Sequence, residues 1–116
     1  WSQKGGMPYV LAPEPWLSRR VALRLHLDAC GEESGPLQII PGSHRHGRLS
    51  ATQIDELAAN GNVLTVVAEP GDVLIMHPLL LHRSAPARQP SHRRVLHIEW
   101  CDAPLPPAAT WLDAPP

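Results

Sequence analysis

The sequence predicts a mainly β domain of the sandwich or jelly-roll type with one short helix. Three observations predict it. Apolar residues make up 43 % of the chain, short apolar segments are separated by turn residues, and fourteen Pro and eight Gly interrupt the 116 residues. This apolar fraction is enough for a core, and frequent turn signals are typical of short strands rather than of a helical bundle.

The clearest strand signal lies at residues 20–28, where apolar and polar residues alternate. Leu23 and Leu25 fall on one face and Arg24 and His26 on the other, as the period of two in a strand requires. Further short strands are predicted at 37–40, 63–68, 73–76, 79–82 and 94–100.

One helix is predicted at residues 51–60. Ser50 is a favourable N-cap, and Gln53 lies three residues later, where it can complete a capping box. Gly61 favours termination of the helix.

The whole chain is interpreted as a single partial domain. Residues 1–19 form an irregular lead-in, 20–101 carry the strands of the barrel, and 102–116 form a Pro-rich tail on the surface. A closed double-stranded β-helix needs about eight strands, and six are predicted, so we expect the domain to be incomplete at its N-terminal side. The first residue, Trp1 rather than Met, indicates that other residues precede it.

Charge and hydropathy exclude several classes of function. The net charge is −1, so no basic surface is predicted to attract a nucleic acid. The apolar runs are too short to span a membrane. The two cysteines, Cys30 and Cys101, could pair, but two free thiols in a reducing compartment are favoured, which predicts a cytoplasmic location.

A metal-binding pattern is centred on His82. Ser84 shares its strand face, and Arg93 follows eleven residues after the histidine. A histidine can bind a metal while an arginine pairs with the far carboxylate of a chelating keto acid, to which a hydroxyl can also donate. A histidine packed at a strand end and an arginine in a surface ion pair would produce the same spacing, since single-histidine signals are weak.

A second pattern places His26 and Asp28 two residues apart on one strand. Both would point to the same face, and His82 would complete a two-histidine, one-carboxylate triad of the kind that non-haem iron oxygenases use. The alternative is a polar strand face exposed to solvent or to the barrel mouth. No paired cysteines indicate a structural zinc site, and Ser43 lies in Pro-Gly-Ser-His rather than in a nucleophile elbow.

Three segments, in this order, resemble the phytanoyl-CoA dioxygenase family: Gly-Pro-Leu-Gln-Ile-Ile-Pro-Gly-Ser-His at 35–44, Pro-Gly-Asp-Val-Leu-Ile-Met-His-Pro-Leu-Leu-Leu-His-Arg-Ser at 70–84, and Arg-Arg-Val-Leu-His-Ile-Glu-Trp at 93–100. The resemblance runs from residue 1 to about residue 111. It implies a double-stranded β-helix that binds Fe(II) and 2-oxoglutarate and uses O2 to hydroxylate an unactivated C–H bond in a small molecule or acyl-CoA.

The same resemblance implies roles for individual residues. His82 matches the distal iron ligand, Arg93 the partner of the 2-oxoglutarate carboxylate, and Ser84 the accompanying hydroxyl. Arg94 is adjacent but faces away if the strand alternates. Arg24 is expected to line the site near the co-substrate.

One departure from the family pattern concerns the other iron ligands. In the family, a His-x-Asp motif precedes the strand that leads into the Gly-Pro-Leu turn, and here that strand is 20–28 itself. The resemblance therefore places the motif before Trp1 and puts His26 and Asp28 at non-ligand positions. An Ala or Gly in place of the upstream Asp would indicate a halogenase-like variant.

Three hypotheses remain open from the sequence. The first is an oxygenase of which this chain is a part that is inactive alone, and the second is a minimal barrel that binds metal through His26, Asp28 and His82. The third is a non-catalytic jelly-roll binding module. Open sheet edges also predict self-association.

Overall fold

The computed structural model describes residues 2–4, 7–9, 12–89 and 92–105. These residues form mainly antiparallel β-structure with few helices, which confirms the mainly β fold class. The strands are β1 Ser2–Lys4, β2 Met7–Tyr9, β3 Arg20–His26, β4 Leu37–Ile39, β5 Leu64–Val66, β6 Val73–Met76, β7 His82–Ser84 and β8 Val95–Cys101. The helices are α1 Glu14–Leu17 and α2 Ala51–Asn60, and single 3-10 turns lie at Glu32–Ser34 and Ser43–His46.

Two three-stranded antiparallel sheets form the body of the fold. The β3 sheet has the order β6-β3-β8, and the β4 sheet has the order β5-β4-β7. Ala22 and Met76 of the β3 sheet pack against Leu37 of the β4 sheet in one buried cluster. The two sheets therefore face each other across a shared apolar core.

The registers show which side chains share the interior faces. Residues directly opposite each other in a sheet point to the same side. Leu37 lies opposite Ser84, and Ile39 lies opposite His82, so both polar residues belong to the interior face of the β4 sheet. On β3, Arg24 shares the interior face with Ala22 because it lies two residues further along.

Helix α2 forms where the sequence predicts it. The Ser50 hydroxyl accepts a hydrogen bond from the Gln53 backbone at 3.3 Å, and the Gln53 side chain accepts one from the Ser50 backbone at 2.9 Å. Gly61 is the C-cap. The complete capping box explains why the predicted start of the helix is correct, and the C-cap at Gly61 explains why its predicted end is correct.

The predicted strand at 79–82 is displaced toward the C-terminus. Residues 78–80 form a turn in which the Leu80 backbone N–H donates to the His77 carbonyl at 3.0 Å, and β7 begins only at His82. Leu80 nevertheless packs against the core. The apolar residues of this run therefore belong to a loop that packs against the core. Sequence periodicity cannot distinguish such a loop from a short buried strand.

The lead-in is more regular than predicted. β1 pairs with β2, and α1 follows them as a single helical turn. Pro15 lies in the first turn of α1, where its missing N–H is not needed, so the proline is compatible with this short helix. The predicted surface tail beyond residue 105 lies outside the described residues.

Two further expectations concern helices and thiols. In the ranges described, no helix combines the length and apolarity that a membrane span requires. Cys30 and Cys101 are both free thiols, in agreement with the favoured interpretation.

The outward face of the β3 sheet is strongly apolar. Trp100 is 67 % exposed and Ile75 63 % exposed, and several neighbours on the same face are also exposed, namely Val21, Val73, Leu96 and Ile98. In the described part of the chain, the outer strands of the two sheets, β5, β6, β7 and β8, each have one edge without a partner strand. Contiguous exposed apolar surface and open edges both favour association.

We therefore expect the 116-residue chain to self-associate at micromolar concentration. Sedimentation velocity over a concentration series measures this. A Leu96→Gln, Trp100→Gln variant should shift the distribution toward monomer, whereas Arg45→Gln, a change at an exposed turn residue, should not. A monomer at every concentration in the unmodified chain would contradict the expectation.

Candidate functional site

His82 is held in a form that can bind a metal. Its ring Nδ1 lies 2.7 Å from the Leu80 carbonyl oxygen. A carbonyl oxygen only accepts, so Nδ1 carries a proton, and in the neutral form of this ring the lone pair is on Nε2. Metal-binding histidines characteristically donate their other N–H to such a partner. The His82 side chain is exposed, so Nε2 is accessible.

The Pro-Gly-Ser-His turn fixes the backbone that precedes His82. Gly42 adopts a left-handed conformation with φ 82°, and Ser43, only 2 % exposed, follows it. The Ser43 hydroxyl accepts a hydrogen bond from the Leu81 backbone N–H at 2.8 Å, and the Ile40 N–H donates to the Leu81 carbonyl at 3.0 Å. Sequence reasoning missed this positioning role, because nothing local to Ser43 shows a partner 38 residues away.

Arg93 lies just before β8 and contacts the segment just before β4. Its Nη1 donates a hydrogen bond to the Gly35 carbonyl. Gly35 has φ 68° and approaches the Ala85 carbonyl so closely that a Cβ would clash with it. Ala85 directly follows Ser84, so Gly35 connects the guanidinium of Arg93 to the strand that carries His82 and Ser84.

Arg94 is committed to a different partner. Its backbone N–H, Nε and Nη2 all donate to the Asp28 carboxylate, at 2.8, 2.9 and 2.8 Å. These bonds hold the pKa of Asp28 well below its usual range and raise the pKa of Arg94. Of the two adjacent arginines, Arg94 is therefore held by a carboxylate, whereas Arg93 donates to the Gly35 carbonyl.

The structure does not bring His26, Asp28 and His82 together. β3 ends at His26, and the chain bends at residues 27 and 28, so the alternation that would align Asp28 with His26 stops there. Within the described ranges, no three His, Cys, Asp or Glu side chains are grouped closely enough to hold a metal ion. His26 itself is 5 % exposed, and its Nδ1 has no hydrogen-bond partner among the described residues.

Acid should destabilise the fold through the Asp28–Arg94 ion pair. Because the folded-state pKa of Asp28 is lowered, its ionised form stabilises the protein above the ordinary carboxyl pKa of about 4, and this contribution is lost as the pH falls below that value. We expect the urea midpoint of the unmodified chain to fall between about pH 5 and about pH 2.5. Arg94→Gln should lower the midpoint at pH 7 and reduce that fall.

Tryptophan fluorescence during urea unfolding measures both midpoints, and Arg45→Gln is the control for loss of a single positive charge. Identical pH profiles for the Arg94→Gln variant and the unmodified chain would show that the ion pair does not contribute.

Helix α2 contributes to the surroundings of His82. Two cavities, of about 260 and about 270 Å3, adjoin this histidine. Ile54 of α2 and Leu81 line both of them together with His82. The sequence predicted the helix but gave no indication that Ile54 lies beside the candidate ligand.

Comparisons with known proteins point to one family. The sequence model of the phytanoyl-CoA dioxygenase family matches residues 7–95. The dioxygenase LolE1 of Epichloe uncinata is 27 % identical over 99 residues, which cover 78 % of this chain and 37 % of that protein. The structure of AviO1 from Streptomyces viridochromogenes Tue57 superposes with a TM-score of 0.66 and 33 % identity, over 78 % of this chain and 40 % of AviO1.

EctD from S. alaskensis, crystallised with 2-oxoglutarate and 5-hydroxyectoine, superposes with a TM-score of 0.63 and 27 % identity, over 71 % of this chain and 30 % of EctD. The chain thus spans less than half of the length of these relatives. Since the family match covers well over half of the 116 residues, the chain belongs to the phytanoyl-CoA dioxygenase family.

Proposed function

We propose that this chain is part of an Fe(II)- and 2-oxoglutarate-dependent dioxygenase that oxidises a small molecule or acyl-CoA with O2. Family membership supports a dioxygenase, and structures of the similar protein EctD were obtained with bound Fe and with 2-oxoglutarate. The observation that carries the proposal is the free Nε2 of His82 on the same strand face as Ser84, next to the segment that Arg93 contacts.

His82 is the proposed distal iron ligand. Imidazole nitrogen suits iron, and the hydrogen bond from Nδ1 to Leu80 fixes the ring so that Nε2 points away from the backbone. The family pattern would place two further ligands in a His-x-Asp motif that precedes residue 1, and the described residues contain no three-ligand group of their own. Iron and 2-oxoglutarate, when bound, supply the oxidising chemistry that protein side chains lack.

Arg93 and Ser84 are the proposed partners of the far carboxylate of 2-oxoglutarate. A guanidinium has five N–H donors, and Gly35 occupies one of them, so the others can form a bidentate contact. The Ser84 hydroxyl on β7 can donate a further hydrogen bond. Together they would orient the co-substrate with its keto-acid end toward His82.

The wall formed by α2 is the proposed contact surface for the primary substrate. Ile54 and Leu81 contribute apolar side chains to both cavities beside His82, which would suit an apolar part of the substrate. The six strands from β3 to β8 would form part of a double-stranded β-helix, in which β5, β6, β7 and β8 are the edge strands of the two sheets.

A minimal barrel that binds metal through His26, Asp28 and His82 is the alternative, with a non-catalytic binding module as the third possibility. The engagement of Asp28 by Arg94 weighs against the minimal barrel. Titration of the chain with Mn(II), followed by electron paramagnetic resonance, separates them. Tight stoichiometric binding favours the minimal barrel, and weak binding that depends on His82 favours the dioxygenase part.

The test of the proposed function is iron-dependent conversion of 2-oxoglutarate to succinate by the oxygenase that contains this chain. We expect that conversion to require His82. Failure of the complete protein to bind iron would instead favour the binding module.

A further inference from the structure

The interior face of the β3 sheet carries more positive than negative groups. Two arginines, Arg20 and Arg24, share this face with one carboxylate, Glu99, and with the imidazoles of His26 and His97. Arg20 forms an ion pair with Glu99, and His97 Nε2 lies 3.6 Å from a Glu99 carboxylate oxygen. The negative charge of Glu99 is therefore already balanced by Arg20.

Arg24 has no protein partner for its charge within the described part of the chain. It lies opposite Leu74 on one side and His97 on the other, in the middle of the sheet. Its Nε is buried without a hydrogen-bond partner, and it takes part in none of the ion pairs there. A buried donor without an acceptor is costly, and a half-buried guanidinium in this state is ready to bind an anionic group.

Arg24 is also separate from Arg93, the proposed partner of 2-oxoglutarate. His97, directly opposite Arg24, lies four residues after Arg93 in the chain, which is about 13 Å along an extended strand. Arg93 is held by Gly35, which lies before the start of β4. One 2-oxoglutarate bound at Arg93 therefore leaves Arg24 available for a different molecule.

We propose that Arg24, with His97 beside it, binds a carboxylate group of the primary substrate. This assignment rests on the proposed function, because it takes Arg93 as the partner of 2-oxoglutarate. It differs from the expectation that Arg24 lines the co-substrate. The substrate class is then a carboxylic acid whose carboxylate lies among the interior groups of β3 and β8 and whose C–H bond lies toward His82.

The test uses hexanoate, a monocarboxylate with an alkyl chain, as the probe. Nitrogen-15 NMR of the arginine Nε–H groups, with the Arg24 signal assigned through its loss in Arg24→Gln, reports contact directly. Calorimetry gives the affinity. We expect hexanoate to shift the Arg24 signal and Arg24→Gln to weaken hexanoate binding by about tenfold or more, since hydrogen bonds to charged groups are strong.

Matched variants separate charge from fold. Arg24→Lys keeps the charge and should restore part of the affinity, and Arg45→Gln removes the same charge from an exposed turn and should leave the affinity unchanged. Circular dichroism confirms that each variant is folded. A hexanoate affinity that is the same in Arg24→Gln as in the unmodified chain would overturn the assignment.

A parallel titration with 2-oxoglutarate in the presence of Mn(II) distinguishes the two proposals. If Arg93→Gln weakens 2-oxoglutarate binding and Arg24→Gln does not, both proposals stand. If Arg24→Gln weakens 2-oxoglutarate instead of hexanoate, the substrate assignment is wrong while the dioxygenase proposal survives. If Arg93→Gln leaves 2-oxoglutarate binding unchanged while hexanoate still requires Arg24, the carboxylate site stands and the proposed function fails.

Discussion

Replacing His82 with Ala should abolish iron-dependent succinate formation by the oxygenase that contains this chain. Among the described residues, His82 is the only one that we assign as a metal ligand, and the substitution removes its Nε2. Partners that merely orient a metal-bound histidine contribute about ten- to hundredfold to affinity or activity, so loss of the ligand itself should cost at least about a hundredfold.

The measurement is succinate formed per enzyme at saturating Fe(II) and 2-oxoglutarate, together with Mn(II) affinity by electron paramagnetic resonance. His46→Ala is the control, because His46 is an exposed histidine in the 3-10 turn at Ser43–His46. Turnover and Mn(II) affinity unchanged by His82→Ala would discard the metal assignment and, with it, the proposed function.

Replacing Arg93 with Gln should raise the KM for 2-oxoglutarate by about thirtyfold or more. Truncating one member of a hydrogen-bonded charge pair typically costs about 2–5 kcal/mol, and 1.4 kcal/mol corresponds to a tenfold change in affinity. Arg93→Lys should give an intermediate value, because an ammonium keeps the charge but cannot form the bidentate contact.

The neighbouring arginine provides the matched control. Arg94→Gln should lower stability through loss of the Asp28 contact and leave the KM for 2-oxoglutarate close to its original value. Steady-state kinetics against 2-oxoglutarate and urea unfolding of both variants separate the two roles. An increase in KM confined to Arg94→Gln would reverse the assignment of the two residues.

The two substitutions also differ in what they leave intact. His82→Ala should reduce metal affinity in the absence of any co-substrate, whereas Arg93→Gln should leave that affinity unchanged. Arg93 lies beside Gly35 and the end of β7, so its effect should appear only when 2-oxoglutarate is present.

Local patterns in the sequence determined several features of this protein. The alternation from Arg20 to His26 predicted β3, and Ser50 with Gln53 predicted the start of α2, because periodicity and capping act over a few residues. The period of two in a strand also places His82 and Ser84 on one face, and this does not depend on how the strand packs.

Predictions from the sequence were wrong where a local pattern was extended beyond the end of a strand. In the sequence, Asp28 continues the alternation of β3, but the chain bends after His26. The carboxylate of Asp28 instead accepts hydrogen bonds from Arg94, 66 residues later. The apolar run at 79–81 resembles a strand but is a loop, because burial and not pairing selected its residues.

By itself, the sequence therefore determined the β class, the position of α2, the family motifs and the histidine, serine and arginine that we assign to the site. Only the tertiary structure decided which nitrogen of His82 is free, which arginine Asp28 engages, that Ser43 supports the backbone before β7, and that Arg24 is left without a partner. The physical reason is distance along the chain. Periodicity and turn chemistry are local, whereas hydrogen-bond and ion-pair partners are chosen among residues that only the packed sheets bring together.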